Sequence, residues 1–254
     1  MAENRGFYRE HPARKRPLSS NVKSSPQYER FGEAIRYLTI GELQKLFDSI
    51  EDHRHKLMLR MIYELGCRVG EFVRIQLKHL DFNRSAVLFP AENTKTGRAR
   101  TSFLPRGLMN DLVSLLRADG RMGKRDLKVK KPESYLFHPP GRSQAPYSEN
   151  RLRQIFRRYA DQAGLHHEYG RDSKGRRLHR LTIHSMRHSH ISHYIHIHKL
   201  PLPIVQRQVG HKSLRSTSVY LNPSDEAVAD AYAEAQAKPR QASAGSGAYA
   251  DRKL

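Results

Sequence analysis

Helical spacing dominates the middle of the chain. The stretch TIGELQKLFDSI opens with Thr39 and places Glu42 three residues on, the spacing that lets each side chain satisfy a free backbone amide at a helix start. A second helix is predicted through Leu57, Met58, Met61, Ile62 and Leu65, whose intervals of three and four make one apolar face, with Gly66 placed to end it. Arg68 then falls at a corner. Two short β-prone runs follow, AVLFP and RTSFLP, separated by AENTKTGRA. The Thr96-Gly97 pair in that separator can turn a hairpin, with Lys95 beside it. Further helices are predicted over RGLMNDLVSLLRA and SENRLRQIFRRYADQAG. In the second of these, Leu152, Ile155, Phe156, Tyr159 and Ala163 form the stripe and Ser148 is the N-cap. The fold class expected is α+β, mainly helical with a small antiparallel sheet or hairpin.

The flanks read differently. Residues 1–36 are polar, basic and interrupted by proline, without a sustained apolar period, and are expected to form a flexible arm. Residues 237–254 are rich in Ala, Gly and Ser and cannot supply a buried face, so a disordered tail is expected there. The segment DGRMGKRDLKVKKPES reads as a basic surface loop, and PSDEAVADAYAEAQA as a last helix. One folded unit is therefore expected over 37–236.

Charge narrows the function. With 46 Lys and Arg against 25 Asp and Glu, the formal net charge is +21, so the partner expected is a polyanion. No apolar stretch long enough to span a bilayer occurs, and the N-terminus lacks the apolar core of a signal peptide. Nucleic acid is thus favoured over a membrane. The single cysteine, Cys67, rules out an internal disulfide framework and fits a reducing, cytoplasmic setting.

The run IHSMRHSHISHYIHIH, 183–198, holds six histidines in sixteen residues. On a helix capped by Thr182, His184, Arg187, His188 and Ile191 share one face, whereas His193 and His196 lie on another. The histidines do not converge, and no carboxylate lies within the run to complete a zinc site. His184 and Arg187 near a helix N-terminus instead suit a phosphate, because that end already favours an anion and the pair adds two kinds of donor.

Other motifs take up the same theme. Upstream, ELGCRVGEF carries Arg68 with Glu71 three residues on; downstream, in VGHKSLRSTSVYLN, His211 is followed nine residues later by Tyr220. GCRVGE, the hairpin lysine in TKTGRAR, HSMRH and GHKSLRSTSVY, in that order over 37–235, resemble the tyrosine recombinase (phage-type integrase) family. The resemblance implies a catalytic set of Arg68, Lys95, His184, Arg187, His211 and the nucleophile Tyr220, with Glu71 orienting its neighbours. Lys78 or Arg98 could fill the place of Lys95 if the hairpin register differs. Val209 stands where the family more often has leucine.

The chemistry explains the residue types. Phosphodiester transfer concentrates negative charge on nonbridging oxygens, which two arginine forks can clamp with histidine donors beside them, so neither metal nor other cofactor is required. The resemblance implies attack by Tyr220 on phosphorus, His184 as base, Lys95 as general acid, and a 3′-phosphotyrosyl intermediate that keeps the bond energy for rejoining without ATP. It also implies double-stranded DNA as partner, a homo-tetramer in the synaptic complex, and accessory DNA-bending proteins. The family usually carries a separate N-terminal helical domain that closes a clamp on DNA, and too few residues precede Thr39 to form one. Three alternatives remain: a type IB topoisomerase-like enzyme, a catalytically silent DNA-binding protein, and a metal-dependent nuclease, which a chelator would abolish.

Overall fold

The structure, a computed structural model, describes residues 37–142, 144–171 and 177–211. Tyr220, the arm 1–36, the tail 237–254 and the last expected helix lie outside the described residues. The elements are helices α1 (Ile40–Asp48), α2 (His53–Leu65), α3 (Val69–Val73), α4 (Arg106–Ala118), α5 (Glu149–Gln162), α6 (Ile183–His196) and α7 (Leu202–Val209). The strands are β1 (Leu80–Asp81), β2 (Ala86–Phe89), β3 (Arg100–Phe103), β4 (Glu168–Arg171) and β5 (Arg177–His179). Among the described residues, then, the domain is mainly helical with small antiparallel sheets, as the pattern predicts.

Local chemistry sets the helix ends. Thr39 caps α1 with a reciprocal pair: its hydroxyl accepts from the Glu42 amide at 3.2 Å, and the Glu42 carboxylate accepts from the Thr39 amide at 2.9 Å. Ser148 accepts from Arg151 N at the start of α5. Gly66 ends α2 in the left-handed conformation, φ 54°. An added Cβ there would lie 2.7 Å from both His190 Cδ2 and Val209 Cγ1. Gly66→Ala is therefore expected to lower unfolding stability by about 3 kcal/mol, part from the left-handed backbone and part from overpacking. A chemical denaturation midpoint equal to that of the unmutated protein would contradict this.

The centre of the core is α2, which buries Leu57, Met58, Leu59, Met61, Ile62, Tyr63 and Leu65. A helix apolar over so much of its surface must be packed on several sides, and α2 does lie against α4, α6 and β3. A smaller apolar cluster, Ile191, Ile195, Val205 and Val209, joins α6 to α7.

The first sheet is an antiparallel meander, β1-β2-β3. Its register pairs Phe89 with Arg100 and Ala86 with Phe103. The link between β2 and β3 is longer than the Thr96-Gly97 pair alone suggests. It runs over 90–99, contains a 3-10 turn at Ala91–Asn93, and reverses direction over 94–97, where Gly97 N donates to Thr94 O at 3.3 Å. The Thr94 hydroxyl holds this loop by bonds to Ala91 O and Arg98 O. The outer edge of β3 is covered by one side chain of α7. The Gln208 amide accepts from Phe103 N at 3.0 Å and donates to Phe103 O at 2.8 Å, much as an adjacent strand would.

A two-stranded ribbon, β4-β5, with an irregularity between Glu168 and Gly170, precedes α6. Sequence pattern did not signal it, because its two short runs, EYGR and RLH, carry no sustained apolar alternation. The basic segment after α4 is a loop, as expected, tied by a bridge between Met122 and Val129.

Candidate active site

Three chain segments meet at the C-terminal end of α2. The first is the corner after Gly66. Arg68 is the N-cap of α3, and Glu71, one turn on, is 3% exposed. The Glu71 carboxylate accepts from the backbone amide of Arg68 at 3.0 Å and from its Nη1 at 3.1 Å. Burial alone would raise the Glu71 carboxyl, but the bonds and charges of Arg100 and Arg68 outweigh it and hold the pKa below the ordinary value.

The second segment is the start of α6. Thr182 is its N-cap, in a capping box with Ser185, whose Oγ accepts from the Thr182 amide at 3.1 Å. Arg187 is 5% exposed. Its Nη1 donates to Gly66 O at 2.5 Å and to Val209 O at 2.7 Å, stitching the ends of α2 and α7 together. Its Nη2 is buried without a hydrogen-bond partner among the described residues. Burial, and then the neighbouring Arg68, lower the Arg187 pKa to about 10, so it stays cationic at neutral pH. One turn earlier, His184 keeps an open face to solvent. Partial enclosure of its ring, then Arg187, Arg153 and Arg68, shift its pKa down.

The third segment is the end of α7. Gly210 caps that helix in the left-handed conformation, φ 70°, and delivers His211 beside the arginines. Burial comes first, followed by Arg187, Arg68, His188 and Arg100, in pushing the His211 pKa down to about 3. A ring held neutral by burial and by the three arginines keeps one donor and one acceptor nitrogen, and a bound anion would relieve part of the shift.

The structure therefore brings together Arg68, Glu71, His184, Arg187 and His211. It does not bring Lys95 to them: that lysine is exposed on the link between β2 and β3, five residues from the strand that reaches the cluster. Of its stand-ins, Lys78 is held by Glu133 at 2.5 Å and Arg98 is exposed.

Sequence reasoning missed Arg100. This β3 residue donates from Nη2 to Glu71 at 2.7 Å, its side chain 8% exposed, and its guanidinium lies 4.2 Å from the Phe89 ring centroid. Only the cross-strand register could have signalled it.

Two of the remaining histidines have structural places. His190 and His193 are 1% and 2% exposed; His190 stacks on Tyr194 with centroids 4.2 Å apart, and the Tyr63 hydroxyl meets His193 Nδ1 at 2.9 Å. Among the described residues, no three His, Cys, Asp or Glu side chains converge as a metal site would need.

An Arg-Arg-His cluster fed by the ends of α2, α6 and α7 can be compared with known proteins. Residues 36–227 match the phage integrase family. The chain belongs to that family. Among similar phage integrase relatives, a tyrosine recombinase from Pseudothermotoga lettingae is 29% identical over 198 residues, covering 77% of this chain and 59% of that protein. Tyrosine recombinase XerA from Pyrococcus horikoshii is 24% identical over 185 residues, covering 72% of this chain and 55% of its own. The chain thus spans less than two thirds of the length of these relatives. In fold it resembles the XerH site-specific recombinase bound to its difH substrate, with a TM-score of 0.57, 21% identity, and coverage of 78% of this chain and 53% of that one. The integrase catalytic fold accounts for the mostly helical domain and its three-stranded sheet.

Proposed function

We propose that this protein cleaves and rejoins DNA strands as a site-specific tyrosine recombinase, with residues 37–236 as its catalytic domain. The observation that carries the reading is the buried guanidinium of Arg187. Its Nη1 is fully engaged by two carbonyls, while Nη2 has no partner among the described residues, beside a second arginine and a neutral histidine. A buried cationic donor without an acceptor is unfavourable, and a phosphate oxygen satisfies it.

In the reaction, Arg68 and Arg187 hold the nonbridging oxygens of the scissile phosphate, and His211 donates a further bond. His184, kept neutral by its surroundings, accepts the phenolic proton as the Tyr220 oxygen attacks phosphorus. The 5′-oxygen of the next nucleotide leaves with a proton from Lys95, and the phosphate remains joined to Tyr220 through the DNA 3′ end. Attack by a 5′-hydroxyl of a second strand reverses these steps onto a new partner. Lys95 lies on an exposed loop, so its part requires that the loop close on bound DNA. The relatives and the bound XerH substrate support double-stranded DNA as partner, and the wide excess of cationic side chains suits phosphate contacts that weaken with salt. Assembly as a tetramer on two DNA sites, accessory DNA-bending proteins and a cytoplasmic setting belong to the same reading. No helix among the described residues is long and apolar enough to cross a membrane.

The test is incubation with supercoiled plasmid in the presence of chelator, followed by a denaturing quench. Covalent protein–DNA adduct is expected with or without chelator; cleavage that needs a divalent ion and leaves no adduct would overturn the proposal.

A further inference from the structure

We propose that Arg100 is a positioning residue of this site: its guanidinium fixes the Glu71 carboxylate, and through it Arg68, while its stem, laid against Gly210, sets where His211 stands. The inference rests on the reading of the cluster as a phosphodiester site.

The geometry is specific. Glu71 Oε2 accepts from Arg68 N and Arg100 Nη2, and Oε1 from Arg68 Nη1. An Arg68–Glu71 pair alone would be a neutral ion pair whose carboxylate competes with any incoming anion. With Arg100 sharing the carboxylate, the triad keeps a net positive charge, and Arg68, 28% exposed, keeps donors for phosphate. Arg100 is itself held from three sides. Phe89 lies under its guanidinium, Glu71 takes Nη2, and Gly210 leaves room for its stem, since a Cβ there would come within 2.7 Å of Arg100 Cδ and 2.8 Å of Nε. Because Arg100 begins the strand that follows the Lys95 loop, it also joins that loop to the arginine pair.

The charged and titratable groups facing Glu71 are Arg68, Arg100, Cys67 and Arg187. Removing Arg100 leaves a buried carboxylate with fewer counter-charges, so its protonation moves toward neutral pH and the acid limit of anion binding rises with it.

The test uses the full chain, ¹⁵N-labelled, titrated with inorganic phosphate at constant ionic strength and followed at the Arg68 and Arg187 Nε–H resonances over a pH series. Arg100→Gln is expected to weaken phosphate binding there about tenfold and to raise its acid limit, with Arg100→Lys recovering part of both. Arg84→Gln, which removes one exposed charge near the same sheet, is expected to change neither. If Arg100→Gln does not fold, Arg100→Lys decides, with a loss of about threefold expected because an ammonium cannot replace the planar fork. Arg100 variants that match Arg84→Gln in affinity and acid limit would overturn the proposal, as would the absence of phosphate shifts at Arg68 and Arg187 in the unmutated protein. Phosphate binding does not use Tyr220. A chain that binds phosphate in this way yet never joins to DNA would sink the strand-transfer reading and leave the role of Arg100 standing.

Discussion

Arg187→Lys is expected to slow covalent adduct formation on DNA by roughly two to three orders of magnitude, the usual consequence of losing one charge-stabilising donor at a transition state. Lysine carries the same charge, so the loss comes from geometry. Arg187 spends Nη1 on Gly66 O and Val209 O and keeps Nη2 for a ligand. One ammonium at the end of a flexible stem cannot meet two carbonyls and a phosphate oxygen in those directions. Stability should fall as well, because the same two carbonyls tie the end of α2 to the end of α7. Single-turnover adduct formation beside a thermal melt separates the effects: Arg68→Lys, at a half-exposed position, should lose rate with little change in melting. An Arg187→Lys protein that forms adduct at near the original rate would remove the guanidinium from the mechanism.

A second large effect is acid lability. Burial before all else lowers the pKa of His190 to about 3 and of His193 to about 4, from an ordinary 6.5. Unfolding restores the ordinary value, so below about pH 6.5 the unfolded chain binds protons that the folded chain refuses. The contribution of these rings is complete above that pH and is lost as pH falls toward 4. Each contributes a slope of about 1.4 kcal/mol per pH unit. Two together would remove about 5 kcal/mol between pH 6.5 and 4.5, comparable with the whole stability of a typical domain. Denaturant titrations at several pH values should show this fall, and His190→Leu should remove about a quarter of the slope, because the His188 and His211 rings are depressed in the same way. Stability flat from pH 7 to 4.5 would contradict the assignment.

These histidines illustrate what the sequence could and could not disclose. A helix over 183–198 with unlike faces was legible from spacing, and so was the pairing of His184 with Arg187. That His190 packs against Gly66 was not, because that contact joins helices distant in sequence. The caps at Thr39, Gly66 and Ser148 were legible because capping is local chemistry. Arg100 was hidden for the opposite reason: its importance comes from facing Phe89 across a strand pair and Glu71 across the fold, and in a chain with 46 basic residues one more arginine carries no local signal. Gln208 was hidden in the same way, its amide covering the edge of β3. Lys95 shows the limit of motif order, which gives a residue its place along the chain but not the reach of the loop that holds it.

The most direct measurement identifies the atom joined to DNA. The full chain is incubated with supercoiled plasmid in chelator and quenched, and the adduct is digested and mapped by mass spectrometry, with Tyr220→Phe in parallel. The account predicts a peptide carrying a nucleotide 3′-phosphate on Tyr220, and no adduct from Tyr220→Phe. An adduct of undiminished yield in Tyr220→Phe, or a linkage to a DNA 5′-phosphate, would contradict it.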